Sequence, residues 1–207
     1  MEKVLEVYKR KYDSRFPVVC MDESPKQLIG EIKQPIKMIP GSEEKHDYEY
    51  RRNGVCNIFM ANEPLKGYRH VKVTETKTKK DWAEYLCEIA ELYTDAEKIT
   101  LVMDNFGTHK PGSLYDTFKP EQAKKLWDRF EFVYTPKHGS WLNMAEIELN
   151  VLMGQCLNRR IDNIDKVRCE VLEWEKTRNN LNAKINWRFN SEDARIKLKR
   201  LYPTFDL

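Results

Sequence analysis

Two apolar runs in this chain stop abruptly on an aspartate: VVCMD, ending at Asp22, and TLVMD, ending at Asp104. A lone acid at a strand end is most often a turn residue, because its short carboxylate bonds to nearby backbone N–H groups. Two such acids side by side at one sheet edge behave differently, since like charges raise each other's pKa and the pair is costly unless a cation lies between them. A hard divalent ion such as Mg2+ removes that cost, binding through one or two carboxylates together with phosphate oxygens. A third acid is available in WLNMAEIELNVLMGQCLNRRI (141–161). At about 100° per residue, Leu142, Ala145, Leu149, Leu152 and Cys156 share one helix face, and Glu146 and Glu148 flank it on opposite sides. Periodicity leaves these two glutamates tied.

The elements that must position these acids follow from the pattern of apolar residues. FPVVCMDE (16–23) and GVCNIFMANE (54–63) read as strands, and YRHVKVTET (68–76) pairs back on the second across a turn at Pro64–Gly67. KTKKDWAEYLCEIAELY (77–93) places Trp82, Leu86, Ile89 and Tyr93 at helical spacing, and KITLVMD (98–104) returns to a strand, which implies a parallel crossover. KPEQAKKLWDRF (119–130) reads as a helix, FEFVYTP (130–136) as a fifth strand, and 141–161 as one long helix. The order is β-β-β-α-β-α-β-α, an α/β chain with three antiparallel strands followed by parallel ones. Residues 24–53, with Pro25, Pro35, Pro40 and Gly41, read as a loop or irregular extension.

Composition bounds the function. The 207 residues are 41% hydrophobic and 33% charged, which suits a globular chain with one main core. The charged opening MEKVLEVYKRKYDSRF is unlike a signal peptide, and no apolar run reaches the roughly 20 residues of a membrane span, so a cytoplasmic location and no membrane partner are expected. The five cysteines (20, 56, 87, 156 and 169) are scattered, without a CxxC pair, and are expected to be reduced and buried. A net charge of +3 says little by itself, but Lys176–Arg200 holds eight bases against two acids, a tail that could track phosphates or simply form a solvated face.

The blocks MDES, GVCNIFMANEPLKGYR, VMDNFGTHK, YTPKHGSWLNMAEIEL and RNNLNAKINWRF with DARIKL resemble the catalytic part of bacterial transposases of the insertion sequence 630 family, within the Tc/mariner superfamily. The resemblance covers the chain from about residue 16 to its end. It implies an RNase H-like fold, with a mixed five-stranded sheet flanked by helices and a C-terminal helical extension, and a metal-binding triad of two aspartates and a glutamate. The two aspartates fall on Asp22 and Asp104. The closing LNxxE block falls on Leu142, Asn143 and Glu146, so the resemblance selects Glu146 and leaves Glu148 in reserve. It further implies Mg2+ or Mn2+, as two ions about 3.5–4 Å apart, and metal-dependent cleavage of DNA with transfer of its 3′ end to a target. An RNase H-like nuclease without strand transfer, or an inactive DNA-binding remnant, stays open as an alternative.

Around the triad, Asn105 and Asn143 are placed to hold the carboxylates by hydrogen bonds, and His109 to approach a phosphate, orient a water or brace its loop. Lys137 and His138 precede the helix that carries Glu146 and suit DNA-backbone contacts, as do Arg188, Lys197, Lys199 and Arg200 in the basic tail. Trp141 could stack on a base, with packing the blander reading. The organisation expected is a catalytic domain over 1–160 and a basic helical extension over 161–207. The resemblance leads to the expectation that the helix-turn-helix modules of full-length relatives lie outside this chain, with an upstream polypeptide supplying them. DNA (element ends and target), a homodimer and, in a bacterial cell, association with the nucleoid complete the expectations.

Overall fold

The computed structural model describes residues 1–137 and 139–202. His138 therefore lies outside the described residues. Five strands form one mixed sheet in the order β3-β2-β1-β4-β5: β1 (Val18–Glu31), β2 (Tyr50–Glu63), β3 (Tyr68–Thr74), β4 (Ile99–Met103) and β5 (Phe130–Tyr134). β1, β2 and β3 pair antiparallel, while β4 pairs parallel with both β1 and β5. This is the RNase H-like α/β arrangement expected from the sequence. β4 is wholly apolar, ITLVM, and buried at every position, as a parallel strand covered on both faces must be.

Side chains alternate across the sheet and build two cores. One face carries Cys20, Ile58, Met60, Val102 and Val133, and is covered by α1 (Glu2–Tyr8), α5 (Met144–Leu152), α6 (Ile164–Asn180) and α7 (Ser191–Lys197). The opposite face carries Val19, Met21, Phe59 and Leu101 beneath α2 (Lys79–Leu92), α3 (Pro111–Tyr115) and α4 (Pro120–Asp128). The α2 start is set by a capping box in which the Thr78 hydroxyl and the Asp81 carboxylate satisfy each other's backbone N–H groups.

Three sequence expectations are corrected. Residues 24–53 are not all loop: β1 runs on to Glu31 and β2 starts at Tyr50, so a two-stranded ribbon projects from the sheet, and only 32–49 is irregular. Pro25 is compatible with the strand because β4 accompanies β1 only from Val18 to Cys20; beyond that the missing N–H faces no partner strand. The helix expected over 141–161 is shorter. A 3-10 turn (Ser140–Leu142) precedes α5, and a π turn (Met153–Leu157) follows it where Gly154 weakens helical propensity. Finally, the cysteines are free but not all buried: Cys20 and Cys56 are, whereas Cys169 is exposed, because α6 covers the sheet with its Val167 and Val171 face.

Candidate metal and phosphate site

The parallel register places the two strand-end acids together. β1 and β4 pair through Val18↔Thr100, Val19↔Leu101 and Cys20↔Val102, and two positions along the chain beyond the last pair come Asp22 and Asp104. Alternation puts Asp22 on the face of Cys20, the one α5 covers, while Asp104 directly follows the last residue of β4. Asn143, the N-cap of α5, ties that helix to the acid edge. Its Nδ2 donates to the Met21 carbonyl (2.8 Å) and to Asp22 Oδ2 (3.2 Å), while its Oδ1 accepts from the Ala145 N–H. Glu146 then falls in the first turn of α5, half-buried, where the helix N-terminus favours negative charge.

The electrostatics agree with this grouping. Burial, followed by the charges of Glu23, Asp104 and Glu146, pushes the Asp22 carboxyl from 3.8 up to about 7, despite a backbone hydrogen bond from Glu23 that favours its anion. Asp104 goes the other way. Burial would raise it, but His109 Nδ1 lies 2.6 Å from its Oδ1, and the imidazolium holds the carboxyl below its ordinary value. His109 is itself 1% exposed; burial opposes its charge, yet Asp104 and Glu23 raise it from 6.5 to about 9. Its ring stacks on Trp82, with centroids 5.4 Å apart, and its Nε2 faces Glu23 Oε2 at 3.4 Å, neither atom having a closer hydrogen-bond partner.

Asp22, Asp104 and Glu146 are oxygen donors of the kind a hard divalent ion takes. Burial makes the Asp22 carboxyl costly to ionise, and the charges of Asp104 and Glu146 add to that cost. Among the described residues, no three His, Cys, Asp or Glu side chains are gathered tightly enough to hold a metal as they stand. Asp104 is turned toward His109.

The other residues singled out from the sequence divide clearly. Asn143 is buried against Asp22, whereas Asn105 is exposed on the rim and bonds to none of the acids among the described residues. Lys137 is exposed and lines, with Asp104, Asn105, Phe106, Thr135, Pro136 and Ser140, an open cavity of about 390 Å3 beside the acids. Trp141 is 44% exposed and packs edge-on against Phe189, over which Lys197 sits. Arg188, Lys197, Lys199 and Arg200 are exposed and make no ion pair among the described residues; Arg178 and Arg195 of the same tail are paired with Glu148 and Glu2. Glu148 is wholly buried, with Arg69 Nε 2.8 Å and Arg178 Nη2 3.1 Å from its oxygens, and it points into the fold instead of toward Asp22. Glu23 and Trp82 were not foreseen. The signal for Glu23 was its place beside Asp22, where alternation sends it to the opposite face, toward His109.

Comparison with known proteins bears on the fold and the family. A family model described as DDE superfamily endonuclease matches residues 17–168. Among solved structures, "Crystal structure of the Mos1 Strand Transfer Complex" superposes with a TM-score of 0.60 at 16% identity, over 88% of this chain and 53% of that one. "Crystal structure of the Mos1 mariner paired end complex with Mn" gives 0.58 at 18% identity, over 88% and 54%. The chain thus spans about half the length of the transposase chains it matches. No curated protein matches its sequence.

Proposed function

This chain belongs to the DDE superfamily endonucleases, and from that membership we propose that it is the catalytic part of a transposase, of the insertion sequence 630 kind, that cleaves DNA strands and joins a 3′ end to a target. The observation that carries the proposal is the parallel pairing of β1 with β4, which supports a grouping of the acids Asp22 and Asp104 that follow it, with the charges of Asp104 and of Glu146 in the first turn of α5 acting on Asp22. Asp22, Asp104 and Glu146 are the residues that would hold Mg2+ or Mn2+. The chemistry such ions would supply there is activation of a water or 3′-hydroxyl on one side of a phosphodiester and stabilisation of the leaving oxygen on the other.

The chain's own residues do the positioning. Asn143 fixes the Asp22 carboxylate through its side-chain amide, and His109, braced by Trp82 and Glu23, restrains Asp104. Lys137 and the open cavity beside Asp104 offer the approach for a backbone phosphate, with Arg188, Lys197, Lys199 and Arg200 as further phosphate contacts. In-line displacement at phosphorus needs positioning and charge neutralisation more than a covalent nucleophile, which fits a site made of carboxylates. Two copies acting on paired element ends, and a separate segment that recognises those ends, belong to the same reading, as does action in the bacterial cytoplasm. Among the described residues no helix is long and apolar enough to cross a membrane.

The test is cleavage of a labelled duplex in Mn2+ by the wild-type chain and by Asp104→Asn. The substitution removes a ligand and a negative charge near phosphate, so cleavage should disappear while DNA binding persists or tightens. Unchanged cleavage refutes the assignment. A pre-nicked 3′-hydroxyl end mixed with target DNA then separates a transposase, which joins the two, from a nuclease, which does not.

A further inference from the structure

Glu148 is two residues from Glu146 on α5, and helical geometry turns the two side chains about 200° apart. Glu146 faces the acid edge; Glu148 enters the protein and meets two guanidinium groups. Arg69 of β3 donates to its Oε2 at 2.8 Å, and Arg178 of α6 donates to both oxygens, at 3.1 and 3.2 Å. Arg69 is itself 0% exposed and is locked further by the carbonyls of Gly67 and Ala183, while its backbone N–H and C=O exchange two hydrogen bonds of 2.8 Å with the Asn179 side chain. The cluster therefore joins α5, the edge strand β3 and the end of α6 at a single point.

Buried ion clusters are poor devices for stability alone, because apolar residues of similar volume serve as well or better. Arginine forks on a carboxylate do what apolar packing cannot: they fix direction. The apolar face of α5 (Ala145, Leu149, Leu152) holds the helix to the sheet. A roll of about 20° moves a side-chain tip on a helix of ~5 Å radius by about 2 Å, far outside the ±0.2 Å tolerance of a metal ligand. Asn143 pins the N-terminus of α5 to Met21 and Asp22, and Glu148 pins the far side of the helix to β3 and α6.

We infer that the Glu148–Arg69–Arg178 cluster is a positioning device that sets the rotation of α5 and so aims Glu146 at Asp22 and Asp104. The inference rests on the reading of Glu146 as a metal ligand. It also extends the working part of the chain past the family match, which ends at residue 168, since Arg178, Asn179 and Ala183 lie beyond it.

The experiment uses Glu148→Gln, Arg178→Gln and a triple variant carrying Arg69→Met, Glu148→Met and Arg178→Met. Each is measured by thermal melting, by Mn2+ titration and by the NMR signals of the Asn143 side-chain amide, which report the α5–β1 contact without metal. The two single variants should bind Mn2+ about 10-fold more weakly and shift the Asn143 signals. The triple variant should melt near the wild type yet bind Mn2+ as weakly as the single ones. Wild-type Mn2+ affinity and unmoved Asn143 signals in a folded triple variant overturn the inference. If the triple variant does not fold, the same two readouts in folded Arg178→Gln decide it. Should Asp104→Asn leave Mn2+ binding unaltered, the metal reading fails, and the Asn143 signals still settle whether the cluster aims the helix.

Discussion

Asp22→Asn should make the metal-free protein more stable while destroying its activity, and the gain should depend on pH. In the fold the Asp22 carboxyl titrates near 7 instead of 3.8. A carboxyl whose folded pKa is raised contributes its stability in full below 3.8 and loses it as pH climbs toward 7, with no further change above. At about 1.4 kcal/mol per pH unit, the loss across that window has an upper bound of about 4 kcal/mol, and by pH 5 it is only about 1.6 kcal/mol. Asparagine avoids ionisation but has one oxygen. It cannot accept from both the Glu23 N–H and the Asn143 amide, as Asp22 does, and that mismatch costs about 1 kcal/mol. The variant should thus be close to neutral at pH 5 and more stable by about 2–3 kcal/mol at pH 8, raising Tm by roughly 4–12 °C at 2–4 °C per kcal/mol. Differential scanning calorimetry of both proteins at pH 5, 6, 7 and 8 reads this directly. Added Mn2+ should stabilise the wild type and not the variant. A difference in Tm that stays flat from pH 5 to 8, or that favours aspartate at pH 8, refutes the account of a buried carboxyl crowded by other acids.

Two further outcomes follow from neighbouring features. His109 is buried and raised from 6.5 to about 9, so its charge contributes stability that is present below 6.5 and lost as pH rises through 9; His109→Ala should cost about 2–4 kcal/mol near neutrality and abolish that alkaline slope in urea denaturation. A variant with the wild-type slope contradicts the pairing with Asp104 and Glu23. Gly67 has φ +77°, and a Cβ there would stand 2.6 Å from the backbone C and O of Asn182, so Gly67→Ala should cost about 2–4 kcal/mol by pushing residues 182–185 off the Pro64–Gly67 turn. A melting point within about 2 °C of the wild type would show that the segment yields freely.

Much of the site could be read from the chain because its signals are local. VVCMD and TLVMD are apolar runs broken by one acid each, and a strand of β-branched and sulfur-containing residues needs no partner to announce itself. The five strands and the crossover through α2 follow from the same periodicity. What escaped depends on contacts distant in sequence. Pro25 argued against a strand because only the sheet reveals that its nitrogen faces no neighbour. Glu146 and Glu148 were tied because the difference between them is Arg69 and Arg178, 79 and 30 positions away from Glu148. The imidazole of His109 was equally open until Trp82 and Glu23 closed around it.

The parallel pairing of β1 with β4 makes the candidate site a long-range feature of the fold. Asp22 and Asp104 follow strands that meet side by side although β2, β3 and α2 lie between them in the chain. Non-local parallel pairings are slow and come late, because loop closure must precede any return from the contact. A chain in which that pairing is not made has its two acids apart, so any measurement of metal binding at this edge also reports on the long-range pairing of the sheet.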